Sequence, residues 1–188
     1  MKNLIRLTTT LFSLTLLLSS CMNNNEDDFD AVAQLEADIA AIDAHIAANP
    51  ATYEEIEYTI TVDGVEETKN RRWINLENGV RIFVTEERSG AEKPALGDQI
   101  TTHYTGRFLS GTVFDSSNPG TGNPFRFNLG GGVIAGWSIA FSELTVGTRA
   151  ILLIPSQFAY GRQGSSSIPP NTPLRFEVNF ISKSSSNI

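Results

Sequence analysis

Aromatic residues crowd the second half of this 188-residue chain: Tyr104, Phe114, Phe125, Trp137, Tyr160 and Phe176. They fall at expected strand ends, at the start of a short helix and in loops. A packed core accounts for any one of them. As a set they fit a core poorly, because Tyr and Trp bring hydroxyl and indole groups that want polar partners. An open apolar pocket, with phenol and indole at its rim or floor, suits them better. Trp137 is the focal residue. In "NLGGGVIAGWSIAF" (Asn128 to Phe141) three glycines and the pair Val133-Ile134 lead straight into it.

Other chemistries lack their parts. The chain has two histidines, His45 on an expected helix and His103 in an expected strand, and one cysteine, Cys21. Neither histidine lies in a recognisable nucleophile motif, and no His/Cys/carboxylate group has metal spacing. "LGGG" before "VIAG" is not a phosphate-binding glycine fingerprint, and no strand and long helix frame it. The sequence therefore predicts neither cofactor nor metal. A formal charge of −7 disfavours nucleic acid as a partner, since Lys and Arg contacts to phosphate supply most non-specific affinity.

The elements that must position the aromatics read as one small α+β domain. "GVRIFVTEE", "DQITTHYTGRF", "NPFRFNL", "RAILLIP" and "LRFEVNFIS" have strand character. In the last, Leu174, Phe176, Val178 and Phe180 share one face, and Arg175, Glu177 and Asn179 the other. Such alternation predicts an antiparallel sheet with one dry and one wet face. "GWSIAFSEL" is the helix of this region, with Trp137, Phe141 and Leu144 at i, i+4 and i+7 facing the sheet.

Upstream, residues 29–50 carry Val32, Leu35, Ile39, Ile42 and Ile46 at steps of three and four, an amphipathic helix stopped at Asn49-Pro50. Its stripe must be buried, either by docking on the neighbouring domain or by pairing in a homodimer through residues 29–48. Residues 51–75 read as a hairpin extension turned at Asp63-Gly64. Residues 76–183 form the main domain and 184–188 a frayed polar tail.

Residues 1–20 have the pattern of an export signal. Lys2 and Arg6 precede the apolar run Leu7 to Leu18, which is shorter than the roughly 18 apolar residues of a spanning helix. "LSSC" then resembles the lipobox of bacterial lipoproteins. It predicts cleavage before Cys21, lipid on that cysteine and an acidic tether over 21–28. Losing Lys2 and Arg6 from the 14 basic residues leaves 12 against 21 acidic ones, a net charge of −9. The expected location is the cell envelope, lipid-anchored at a membrane, the outer membrane in preference to the inner.

From Gly79 to Ser182, "THYTGRF", "GTVFDSSNPG", "PFRFNLGGGVIAGW", "LTVGTRAILLIP" and "FAYGRQGSSSIPPNTPLRFEVNFI" resemble the FKBP peptidyl-prolyl isomerases in order and spacing. The resemblance implies a curved antiparallel sheet wrapped around one short helix, and rotation about X–Pro bonds in exported polypeptides as the activity. Trp137 would be the pocket floor, and Tyr104, Phe125 and Phe176 its walls. Val133 and Ile134 would line an edge, with the Ile134 N–H free for a substrate carbonyl. Phe114 and Asp115 would sit at one rim; Tyr160 and Ile168 would close the other side. Two departures stand out. The loop after Asp115 lacks the basic residue of many relatives, and Ser165 to Ser167 replace bulkier flap residues of some. Both imply reduced affinity for macrolides. They also leave open a binding module or chaperone without catalysis on the same fold.

Overall fold

The computed structural model describes residues 29–88, 90–117, 120 and 122–185. The expected signal peptide, Cys21 and the tether lie outside the described residues. The first helix, α1 (Ala31–Ala48), starts where Asp30 accepts the N–H groups of Val32 and Ala33 at 2.9 and 3.0 Å. It ends where the Asn49 side chain donates to the His45 carbonyl at 2.7 Å, just before Pro50. Among the described residues no helix is long and apolar enough to cross a membrane.

A hairpin of β1 (Glu57–Val62) and β2 (Val65–Asn70) follows as a separate two-stranded sheet. Its turn residues Asp63 and Gly64 both have positive φ, 50° and 81°, as a tight primed hairpin turn requires. The hairpin is shorter than the expected 51–75. β3 (Arg72–Asn75) leaves it and pairs with β4 (Arg81–Glu86), so the main sheet begins before residue 76.

The main sheet adds β5 (Gln99–Phe108), β6 (Val113–Ser116), β7 (Phe125–Asn128), β8 (Arg149–Ile154) and β9 (Leu174–Ser184), with α2 (Ala135–Glu143) between β7 and β8. Its order is β3-β4-β8-β9-β5-β6, every pairing antiparallel, and β7 also pairs with β5. β9 reaches Ser184, which pairs with Gln99, so residue 184, expected as the start of the tail, is the last residue of a strand.

Helix α2 lies against one face of this sheet. Trp137, Phe141 and Leu144 are buried there with Ile82, Val84, Ile100, Leu152, Phe176, Val178 and Phe180. The sheet is not wet throughout on its other face. Phe83 of β4 and Ile151 and Leu153 of β8 point away from α2 and are buried with Ile42 of α1, Tyr53 and flanking Ile46 and Trp73. Helix α1 docks on that outer face, which is why β4 and β8 read as unbroken apolar runs. Of the two burials left open for the stripe, the structure shows docking on the chain's own sheet. Val32 alone of the stripe stays largely exposed.

Candidate functional site

The site forms where β5 changes partners. The first half of β5 pairs with β7, Thr102 opposite Phe125, and the second half with β6, Thr105 opposite Ser116. Tyr104 sits at the parting, so its ring meets side chains from both neighbours. Strand β9 runs along the other edge of β5 and brings in Phe176, opposite Gly106. A Cβ on Gly106 would come within 2.7 Å of the Phe114 ring and 3.0 Å of the Phe176 ring. The glycine of "YTG" thus lets two aromatic walls close over the backbone.

Trp137 lies beneath. Its ring centroid is 5.0 Å from Tyr104, 5.8 Å from Phe125 and 5.3 Å from Phe176, each nearly perpendicular. Edge-to-face contacts of this kind lock the rings without filling the space above them. Phe127 and Phe141 support the indole from the core side. Trp137 is only 4% exposed, yet it lines a solvent-open hollow of about 200 Å³ together with Tyr104, Phe114, Asp115, Phe125, Gly132, Val133, Ile134, Tyr160 and Phe176. Its buried Nε1 has no hydrogen-bond partner among the described residues.

The rim carries the polar groups. The Tyr104 hydroxyl donates to Asp115 Oδ2 at 2.6 Å, and Asp115 Oδ1 accepts the Ser116 N–H at 2.8 Å. Burial, then the Asp115 hydrogen bond and charge, hold the Tyr104 phenol well above its ordinary range. Tyr160 is raised as well, by burial and by the Asp115 charge. Both phenols therefore stay protonated at neutral pH. Asp115 makes no ion pair among the described residues, and it lies in β6. Val133 and Ile134 form the entry to α2. Ile134 is its N-terminal cap without a side-chain capping bond, and the Ile134 N–H donates no hydrogen bond among the described residues. First-turn amides of a helix are natural donors to an oxygen ligand.

Nine of the ten expected residues thus line one hollow. Ile168 does not. It is 3% exposed in the main core, and its backbone makes a bridge with Ser165 that shapes the loop from behind. An apolar side chain beside two prolines reads equally well as rim or core, and the core gains more from burying it. Gly132 joins the lining without having been singled out; the only signal for it was the glycine run itself. The histidines lie elsewhere: His45 Nε2 is 2.9 Å from the Tyr53 hydroxyl, and His103 Nδ1 is 3.1 Å from Ser117 Oγ. Among the described residues no three His, Cys, Asp or Glu side chains are grouped to hold a metal ion.

Comparison with known proteins addresses the same region. The family model described as FKBP-type peptidyl-prolyl cis-trans isomerase matches residues 90–181. FK506-binding protein 1 of Saccharomyces cerevisiae is 43% identical over 108 residues, covering 56% of this chain and 94% of that protein. The FKBP-type 22 kDa peptidyl-prolyl cis-trans isomerase of Escherichia coli is 40% identical over 119 residues, covering 62% of this chain and 56% of that protein. A crystal structure of a peptidyl-prolyl cis-trans isomerase from Pseudomonas syringae pv. tomato superposes with a TM-score of 0.59 at 27% identity, over 84% of this chain and 98% of that one.

Proposed function

The chain belongs to the FKBP-type peptidyl-prolyl cis-trans isomerases, and from that premise we propose that the aromatic cup over Trp137 speeds X–Pro rotation by holding the twisted amide in a water-poor site. It is an isomerase that acts on proline-containing polypeptides. Rotation about a peptide bond breaks and makes no bond, and its barrier of about 18–20 kcal/mol is the resonance lost on twisting. The twisted amide is less polar than the planar one. Water therefore favours the planar ground state, whereas an apolar cup penalises the twisted amide less than the planar one. Only that difference accelerates the reaction. Each 1.36 kcal/mol gives about tenfold in rate, so a few kcal/mol from desolvation and one directed hydrogen bond suffice.

Each lining residue has a role in this reading. The prolyl ring rests on Trp137, between Tyr104, Phe125 and Phe176. The Ile134 N–H donates to a substrate carbonyl, with Val133 beside it. Phe114 and Tyr160 narrow the mouth. Asp115 holds the Tyr104 ring in place through the 2.6 Å bond. The observation that carries the reading is one indole, nearly buried yet forming the floor of an open hollow with three aromatic walls at right angles to it. Catalysed cis–trans exchange of an X–Pro peptide by the full chain tests it. A rate equal to that in buffer, with suppression of client aggregation that survives Trp137→Ala, would leave a non-catalytic chaperone instead.

The enzyme is exported, anchored by lipid at Cys21 and works on exported proteins at the cell envelope, on the outer membrane. The leader with Lys2 and Arg6, the apolar run and the lone cysteine after two small residues support this. Cys21→Ser then abolishes incorporation of a labelled fatty acid; undiminished labelling would refute the anchor. Macrolide affinity is reduced relative to relatives with bulkier flaps, on the strength of Ser165 to Ser167.

A further inference from the structure

Two acids outside the cup are buried, Asp98, which pairs with Lys183 at 3.4 Å, and Asp38. Asp38 stands on the docked face of α1, four residues before Ile42, and is 2% exposed. A carboxylate there is strongly unfavourable unless its oxygens are satisfied. Oδ1 accepts from Gln34 Nε2 at 2.8 Å, on the same helix. Oδ2 reaches out of the helix to the backbone N–H of Ser156, at 2.7 Å, in a fully buried contact spanning 118 residues of chain.

Ser156 is the root of the loop that carries Tyr160. It opens a short 3-10 turn, Ser156–Phe158, which Pro155 separates from the end of β8. Its carbonyl accepts the N–H groups of Ala159 at 2.9 Å and Gly161 at 2.8 Å. The Gly161 carbonyl accepts in turn from Asn171 N–H at 2.8 Å, and the Tyr160 carbonyl from Gly164 N–H at 3.1 Å. A continuous run of hydrogen bonds therefore links Asp38 to both ends of the segment that presents the Tyr160 ring. The same turn backs onto α2 one residue before the pocket floor: a Cβ on Gly136 would overlap the Ile154 side chain and meet the Phe158 carbonyl at 3.1 Å. A second tie comes from just before α1, where the Phe29 ring lies 4.5 Å from the Arg162 guanidinium carbon.

We propose that Asp38 is a positioning residue of the isomerase site: through the Ser156 N–H it fixes the turn that sets Tyr160 at the rim, so that α1 governs how tightly the cup holds a proline peptide. The inference rests on the cup being the peptide site. It assigns α1 a part in substrate binding that its apolar stripe alone does not imply. Asp38 touches no substrate, so its loss acts on binding before it acts on the bond rotation.

The test uses the full chain with Asp38→Ala, Asp38→Leu and Asp38→Asn, and with Asp43→Ala as control. Asp38→Leu extends the apolar stripe and keeps the helix docked while offering no acceptor. Asp38→Asn keeps an acceptor oxygen for Ser156. Asp43 is on the same helix and pairs with Arg81 at 2.9 Å, away from the turn. A charge-assisted hydrogen bond of this kind makes the Ser156 and Gly161 amides exchange with solvent about tenfold faster when it is lost. With Ala or Leu at 38, KM for an X–Pro peptide rises about threefold to tenfold while kcat stays within about twofold. Asn restores both readouts, and Asp43→Ala leaves both at wild-type values. Wild-type KM in folded Asp38→Leu, or an Asn variant as impaired as the Leu variant, would overturn the proposal. Amide exchange is read without any turnover. A wild-type chain inert toward X–Pro peptides would therefore defeat the cup reading, while unchanged exchange at Ser156 and Gly161 in Asp38→Leu would defeat the Asp38 link.

Discussion

Replacing the indole floor separates the cup's catalytic part from its packing part. Trp137 makes ring contacts with Tyr104, Phe125, Phe127, Phe141 and Phe176, all at centroid distances between 5.0 and 5.8 Å. Each such pair contributes about 0.5–1.5 kcal/mol beyond area burial, but pairs sharing one ring do not add. Leu at 137 keeps the apolar character and leaves part of the indole volume empty. Trp137→Leu is therefore expected to lower stability by about 2–3 kcal/mol, below the 3–5 kcal/mol of truncation to Ala. Urea titration measures that loss. The floor also loses the flat surface under the prolyl ring, and kcat/KM falls about tenfold to a hundredfold, equivalent to about 1.4–2.7 kcal/mol of transition-state stabilisation. Phe180→Leu is the matched control. Phe180 is fully buried in the same core against Phe141 and does not line the hollow. It should lose about 1–2 kcal/mol of stability and keep wild-type kcat/KM at temperatures where it is folded. A folded Trp137→Leu chain with undiminished kcat/KM, or equal losses of activity in both variants, would show that the indole serves packing alone.

Two further outcomes follow from particular contacts. Gly106→Ala drives a methyl group into the Phe114 and Phe176 rings, so it should cost about 1–3 kcal/mol of stability by overpacking; a larger proportional loss appears in kcat/KM, and an unchanged KM and kcat would show that the walls are not held by that close approach. His45 is held below the ordinary imidazole value of 6.5, first by burial and then by the nearby Arg175 charge. The unfolded chain therefore takes up a proton at 45 before the native one does. The contribution of His45 to stability falls as pH drops from about 6.5 through the lowered native value. His45→Gln should flatten that segment of the stability–pH curve; an identical slope in the variant would count against it.

Much of the fold and of the cup was legible because its signals were local. Alternation in "LRFEVNFIS" exposes one apolar face, and Leu174, Phe176, Val178 and Phe180 are indeed the buried set of β9. Asp63-Gly64 set a turn by backbone conformation alone. The cup drew on the excess of aromatics over what a core of this size needs. What sequence reasoning could not reach was pairing between distant segments. That β3 belongs to the main sheet depends on its partner β4, not on Arg72–Asn75 themselves. That the outer face is dry under β4 and β8 depends on where α1 lands. Ile168 carried an apolar signal that two environments satisfy equally. Asp38 had a faint one, an acid on the buried side of an apolar stripe, and only its contact with Ser156 gives it meaning.

In the proposed mechanism the cup lowers the barrier to X–Pro rotation by desolvation and a directed hydrogen bond, without moving a proton. Comparing kcat/KM of the full chain on one X–Pro peptide in H₂O and in D₂O, across pH 6–9, tests this most directly. With Tyr104 and Tyr160 both raised and neither histidine in the hollow, a ratio near one and a level profile are expected. A solvent isotope effect of about two or more, or a bell-shaped profile in that range, would contradict it.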